Sequence, residues 1–147
     1  MSKIRKFPEY KLPIKLNIGC GNDNRKDYIN IDNRDLGYNM VWDIRDGIPF
    51  PDNSVQTIFC SHLIEHLDNE ESLDFLRECL RVVQKGSSVV IRAPLFNTIG
   101  AIFPGHKTFW SYEKVLVLTR LEEPLPKFKI TENEILGEQL LFTLKKL

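Results

Sequence analysis

Lys15-Leu16-Asn17-Ile18-Gly19-Cys20-Gly21-Asn22 is the stretch whose reading decides the fold. A short apolar strand runs straight into a Gly-x-Gly turn. Soon after it, Tyr28-Ile29-Asn30-Ile31-Asp32 reads as a second strand that ends in a carboxylate. A strand, a glycine turn and an acid closing the next strand is how a parallel sheet grips an adenosine-containing ligand. The glycines let backbone come close to the ligand, and the acid accepts hydrogen bonds from ribose hydroxyls. Gly-x-Gly recurs in many folds, so the strand before it and Asp32 after it carry the inference.

Outward from this stretch the elements follow in order. Ile14 to Ile18 is strand 1 and Tyr28 to Asp32 strand 2, joined by a connection too short for the usual crossover helix. Val41-Trp42-Asp43-Ile44 is a third short strand, and Val55 to Cys60 a buried one. Leu73, Leu76, Leu80 and Val83 recur at helical spacing, which predicts an amphipathic helix over Glu70 to Val83 closed by Lys85-Gly86. Ser88 to Ala93 is the next buried strand. Trp110 to Leu121 reads as a helix with Ser111 as N-cap, its apolar face available to the core or to a second subunit. Phe128 to Thr131 and Leu140 to Leu144 predict a closing hairpin. The fold class is therefore α/β: a three-layer Rossmann-like sandwich with a mostly parallel sheet and an antiparallel C-terminal edge strand.

The 147 residues suit one domain spanning 1–147. Twenty basic and twenty acidic side chains cancel, and no part of the chain is basic enough to point to nucleic acid. No apolar run approaches the length of a membrane span, and MSKIRKFPEY lacks the apolar core of a signal peptide. A cytosolic (cytoplasmic) location is expected. Cys20, Cys60 and Cys79 show no metal spacing and read as buried or half-buried thiols.

The ordered set LNIGCGN (16–22), YINID (28–32), WDI (42–44), IPFPDNSVQTIFCSHLIEHL (48–67) and LRVVQKGSSVVIRAP (80–94) resembles the class I S-adenosylmethionine-dependent methyltransferases, in their small, type 11-like branch. The resemblance implies S-adenosyl-L-methionine as cofactor, S-adenosyl-L-homocysteine as product and O- or N-methylation of a small-molecule acceptor. It implies that Gly19, Cys20 and Gly21 pass close to the methionyl part and that Asp32 holds the ribose. Asp43 would accept the adenine amino proton, and the Ile44 N–H would meet a ring nitrogen. Ser61 and His62 would border the cofactor opposite the glycine loop. Asn17 stands where the family often has an acid facing the cofactor's ammonium, and Asp23 or Asn24 replaces a third glycine. Alignment supplies much of the rate in such a displacement, and a general base helps where the acceptor is a hydroxyl or protonated amine. His62 is the first candidate for that base and His106 the second. With little chain to form a lid, a homodimer is an open expectation.

His62-Leu63-Ile64-Glu65-His66 also matches H-x-x-E-H, in which two helical histidines bind zinc around a glutamate base. The segment follows directly on a strand and finds no third ligand with a supporting pattern, so no metal is expected, and Glu65 and His66 read as the start of a helix. Three alternatives stay open: a binding module that kept the fold without catalysis, an H-x-x-E-H zinc hydrolase, and a nicotinamide oxidoreductase. The last would need a glycine where Asn24 stands.

Overall fold

The computed structural model describes residues 10–147. The segment read for a signal peptide lies, through residue 9, outside the described residues. Seven strands form one sheet in the order β3-β2-β1-β4-β5-β7-β6. They are β1 (Ile14–Ile18), β2 (Ile29–Asp32), β3 (Met40–Val41), β4 (Val55–Ser61), β5 (Val83–Pro94), β6 (Phe128–Leu136) and β7 (Gln139–Lys146). The first five run parallel, and β7 pairs antiparallel with β5 and with the edge strand β6. This is the expected α/β class, mostly parallel with antiparallel C-terminal strands. No helix among the described residues is long and apolar enough to cross a membrane.

Register explains where the core sits. Leu16, Ile58, Val89 and Leu144 form one cross-strand row, and Ile18, Cys60, Ile91 and Phe142 the next. Side chains alternate between faces, so these rows share one face, and all eight are buried. Helix α1 (Asn69–Val82) adds Phe75, Leu76, Cys79 and Leu80 to the same core, and α2 (Tyr112–Val117) adds Val115. Trp110 stacks on Phe142 with ring centroids 5.6 Å apart. The intervening rows, such as Lys15, Thr57, Ser88 and Lys145, stay partly exposed.

The short connection from β1 to β2 contains no helix; polar side chains hold it instead. Asn17 and Asn30 are buried neighbours, with Asn17 Nδ2 donating to Asn30 Oδ1 (2.9 Å) and to the Asp23 carbonyl (2.8 Å). Asn30 Oδ1 also accepts the Arg25 N–H, and its Nδ2 donates to the Arg25 carbonyl. Arg25 then lays its guanidinium 3.7 Å from the centre of the Phe59 ring, covering sheet that a helix would otherwise cover.

Several elements depart from the sequence expectation. Strand 3 ends at Val41 because Asp43 caps a 3-10 turn over Ile44–Asp46, its side chain accepting the Arg45 N–H. Helix α1 is opened by a capping box between Asp68 and Glu71 and passes straight into β5. Lys85-Gly86 is therefore no helix cap. It lies where β5 bulges between Val83, opposite Val55, and Ser88, opposite Thr57, and Gly86 takes φ +83° there. The second helix stops at Val117, with Leu118–Arg120 as a 3-10 turn; Ser111 does cap it, accepting the Lys114 N–H. Its Val115 and Leu118 point into the core, so that face is not open to a second subunit. The hairpin is longer than predicted and turns at Gly137.

Candidate active site

Three cavities meet around the carboxyl ends of β1 and β4, where chain order reverses and α/β sheets bind ligands. Gly19 takes φ +69° and Gly21 +50°, backbone that favours glycine. The N–H groups of Gly19 and Cys20 both donate to the Ile31 carbonyl, locking the turn to β2. A Cβ on Gly19 would lie 3.0 Å from Leu63 Cβ, so the turn and the segment after β4 are in contact.

Asp32, 7% exposed, ends β2 beside this turn. Its Oδ2 accepts the Gly21 N–H at 3.0 Å, and its Oδ1 accepts the Arg34 N–H at 3.0 Å. The Arg34 guanidinium adds bonds to both oxygens. Burial pushes the Asp32 carboxyl up, but the bonds from Arg34 and Gly21 outweigh it and hold the group below the ordinary range. Asp43 is clamped in the same way by Arg45, at 2.7 Å from Nη2 to Oδ2, and is likewise held low. Trp42 donates from Nε1 to the Gly47 carbonyl, which fixes its ring. Asp32, Trp42, Asp43, Ile44 and Leu63 share one cavity of about 200 Å³ with Gly19.

A second cavity lies on the other side of Gly19, bordered by Cys20, Gly21, Ser61, His62 and Arg92. Asn17 borders it too, but its amide nitrogen is committed to the crossover described above. Cys20 is buried, and burial and then Asp32 push its thiol up, which argues against a nucleophile.

His62 stands between this cavity and a third one lined by Glu65, His66, Phe103, His106 and Gln139. Its backbone takes φ +57°, unusual for a residue with a side chain, and its N–H donates to the Arg92 carbonyl. Burial, then the charges of Arg92, His106 and His66, hold its imidazole below the ordinary value, so the ring is neutral at neutral pH. Ile64–His66 is a 3-10 turn and the helix begins only at Asn69, so Glu65 and His66 do not start it. H-x-x-E-H thus lacks the helix that zinc-protease geometry needs.

Glu65 is 2% exposed and its Oε2 has no hydrogen-bond partner among the described residues. Burial pushes its carboxyl up to about 7. His66 Nε2 is 3.9 Å and His62 Nδ1 3.7 Å from Glu65 Oε1. His106 arrives from the loop after β5 because the Lys107 and Thr108 N–H groups both donate to the Glu65 carbonyl. The structure thus brings Gly19, Gly21, Asp32, Asp43 and Ile44 to one side of His62, and His106 to the other. Sequence reasoning missed Arg34, whose only signal was its place two residues after Asp32, and Arg92, which had none.

Residues 16–91, more than half of the chain, match the profile of a family described as methyltransferase domain, of type 11. The chain belongs to this methyltransferase-domain family. Among curated proteins no relative matches its sequence. A SAM-dependent methyltransferase from Archaeoglobus fulgidus is similar over 90% of this chain and 85% of its own, at 18% identity and a TM-score of 0.64. One from Aquifex aeolicus is similar over 89% and 79%, at 19% identity and a TM-score of 0.61. A chain of the Haloferax volcanii complex between the Trm112 methyltransferase activator and a methyltransferase reaches a TM-score of 0.68 at 13% identity, over 90% and 84%. At these identities the likeness is one of fold. Within this methyltransferase domain the matched span includes both clamped acids, His62 and Glu65, and leaves out His106.

Proposed function

We propose that this methyltransferase domain is a cytosolic enzyme that uses S-adenosylmethionine to methylate a hydroxyl or amine of a small molecule. The observation that carries the reading is Asp32: a buried, ionised carboxylate fixed by the N–H of the second loop glycine. Two donors on adjacent carbons, as on a ribose, suit its two oxygens. Asp43 and the Ile44 N–H, which has no partner among the described residues at the first position of its turn, suit the two edges of an adenine ring that the cavity walls, Trp42 and Leu63, would flank. Gly19, Cys20, Gly21 and Ser61 border the space left for the methionyl part, and Asn17 supports them by holding the crossover.

S-adenosylmethionine supplies a methyl group activated on a sulfonium. This chain's share is alignment and proton removal. His62, facing both the cofactor side and the third cavity, accepts the acceptor's proton as a neutral base. His106 lines the acceptor side. Phe96, Ile99, Ile102 and Phe103, all exposed along the loop after β5, favour an acceptor with an apolar part.

Isothermal titration of tag-free protein with S-adenosylhomocysteine tests the proposal. One-to-one binding, weakened at least about tenfold by Asp32→Ala, is expected; absence of any binding would remove it. A second reading, a non-catalytic binding module, draws on the guanidinium already seated on Asp32. Cofactor binding without turnover on any acceptor would favour that reading.

A further inference from the structure

The third cavity holds a cluster that proton transfer by His62 leaves unused. Glu65, His66 and His106 each place one ligand atom within 4.8 Å of the other two. Glu65 is the anchor. Its carboxylate is almost fully buried, and its Oε2 finds no hydrogen-bond donor among the described residues. A carboxylate in that state is costly unless a proton or a metal cation meets it. Both nearby imidazole contacts to Oε1 lie beyond hydrogen-bond length, at 3.7 and 3.9 Å.

The two imidazoles are arranged as ligands would be. His106 Nδ1 lies 3.2 Å from the Ala101 carbonyl. With the proton there, Nε2 keeps its lone pair, the tautomer that a metal selects. The His66 and His106 rings meet edge to face at 4.7 Å. His106 is held in place by the two hydrogen bonds from Lys107 and Thr108 to the Glu65 carbonyl. Thr108 also donates from Oγ1 to the Ile64 carbonyl and accepts from the buried Trp110 Nε1. These bonds tie the loop to the turn, and the His66 side chain is half-exposed. Ligand atoms around a tetrahedral zinc stand about 3.3 Å apart, so closing the cluster takes a side-chain rotation.

We propose that Glu65, His66 and His106 bind a divalent transition ion, with zinc as the reference metal. This departs from the sequence expectation of no metal, and it differs from H-x-x-E-H chemistry in that His62 is no ligand. Two imidazoles and one carboxylate leave a coordination position open. That position faces the cavity shared with His62, Phe103 and Gln139. An acceptor hydroxyl there would lose its proton more readily beside the ion, the O–H bond breaking with its electron pair kept on oxygen and the proton passing to His62. The role toward an acceptor rests on the methyl-transfer reading; ion binding does not.

The test is titration of the tag-free, chelator-treated full chain with Zn²⁺, and with Co²⁺ followed by visible absorption. One equivalent bound at micromolar or better affinity is expected, with a cobalt spectrum of a nitrogen–oxygen site. Glu65→Gln, His66→Gln and His106→Gln should each weaken binding by at least about tenfold. The two histidine variants alter half-exposed side chains and keep the fold, which thermal melting checks if Glu65→Gln fails to fold. No zinc binding, or binding unchanged in both histidine variants, overturns the site. S-adenosylhomocysteine binding measured in parallel separates the two readings. Zinc without nucleoside binding keeps the site and sinks methyl transfer, and the reverse sinks only the site.

Discussion

Arg34 closes on Asp32 from two directions, its backbone N–H and Nε on Oδ1 and its Nη2 on Oδ2. The carboxylate has about four lone-pair positions, and Gly21 takes one more of them. A ligand presenting two hydroxyls to Asp32 must therefore displace the guanidinium. With the Arg34 side chain 66% exposed, that displacement is a swing into water. The backbone bonds from Gly21 and Arg34 would keep the carboxylate aimed.

Asp32 and Arg34 substitutions should thus move cofactor affinity in opposite directions. Asp32→Ala removes charged hydrogen bonds worth about 1.5–3 kcal/mol each, so S-adenosylhomocysteine should bind at least about tenfold more weakly. Arg34→Ala removes a competitor and should tighten binding severalfold. Calorimetric titration reads both, and weaker binding by Arg34→Ala would make the guanidinium part of the ligand site.

The same clamp sets a pH dependence of stability. The Asp32 carboxyl is held below its ordinary value, where Arg34 and Gly21 outweigh burial. Such a group stabilises the fold above its unfolded-state value of about 3.9, and the contribution fades as pH falls through the lower folded-state value. The difference in Tm between the wild type and Asp32→Asn should be constant from neutral pH to about pH 5 and shrink below about pH 4. A difference that grew on acidification would reverse the assignment.

Asn30 should matter as much as a core residue. Its Oδ1 satisfies Asn17 and Arg25, and its Nδ2 bonds three oxygens of the crossover. Asn30→Ala leaves buried donors without partners, at a cost of about 1–3 kcal/mol each. Urea denaturation should show a loss in that range. A loss under about 0.5 kcal/mol, typical of surface changes, would mean the crossover is held by other contacts.

Much of this fold was legible because its signals are local. The apolar strands β1, β4 and β5 and the stripe of α1 announce themselves within a few residues. Misreadings arose where one local signal had two meanings. Lys85-Gly86 has the composition of a helix cap, yet Val82-Val83 already turns the chain into β5, and the glycine serves a bulge. Leu118 and Leu121 continue helical spacing through a 3-10 turn. Around the cavities, the placement of Gly19, Asp32 and Asp43 was readable because each lies at or just past the end of its own strand. The meeting of Glu65 with His106 was not, because it depends on two backbone bonds between distant segments.

His62 carries the last prediction. Its left-handed backbone and its N–H bond to Arg92 hold the side chain between the cavity bordered by Gly21 and the one lined by His106. Burial and the neighbouring charges of Arg92, His106 and His66 keep it neutral, the state a base needs before the acceptor is deprotonated. His62→Ala should lower kcat by about 10²–10⁴-fold while leaving the S-adenosylhomocysteine affinity within a few-fold, because the proposed nucleoside site is built on Asp32 and Asp43. His62→Gln keeps polarity and approximate size without a basic nitrogen, so it should be equally impaired. If the glutamine variant recovers turnover while alanine does not, His62 shapes the cavity and another group takes the proton.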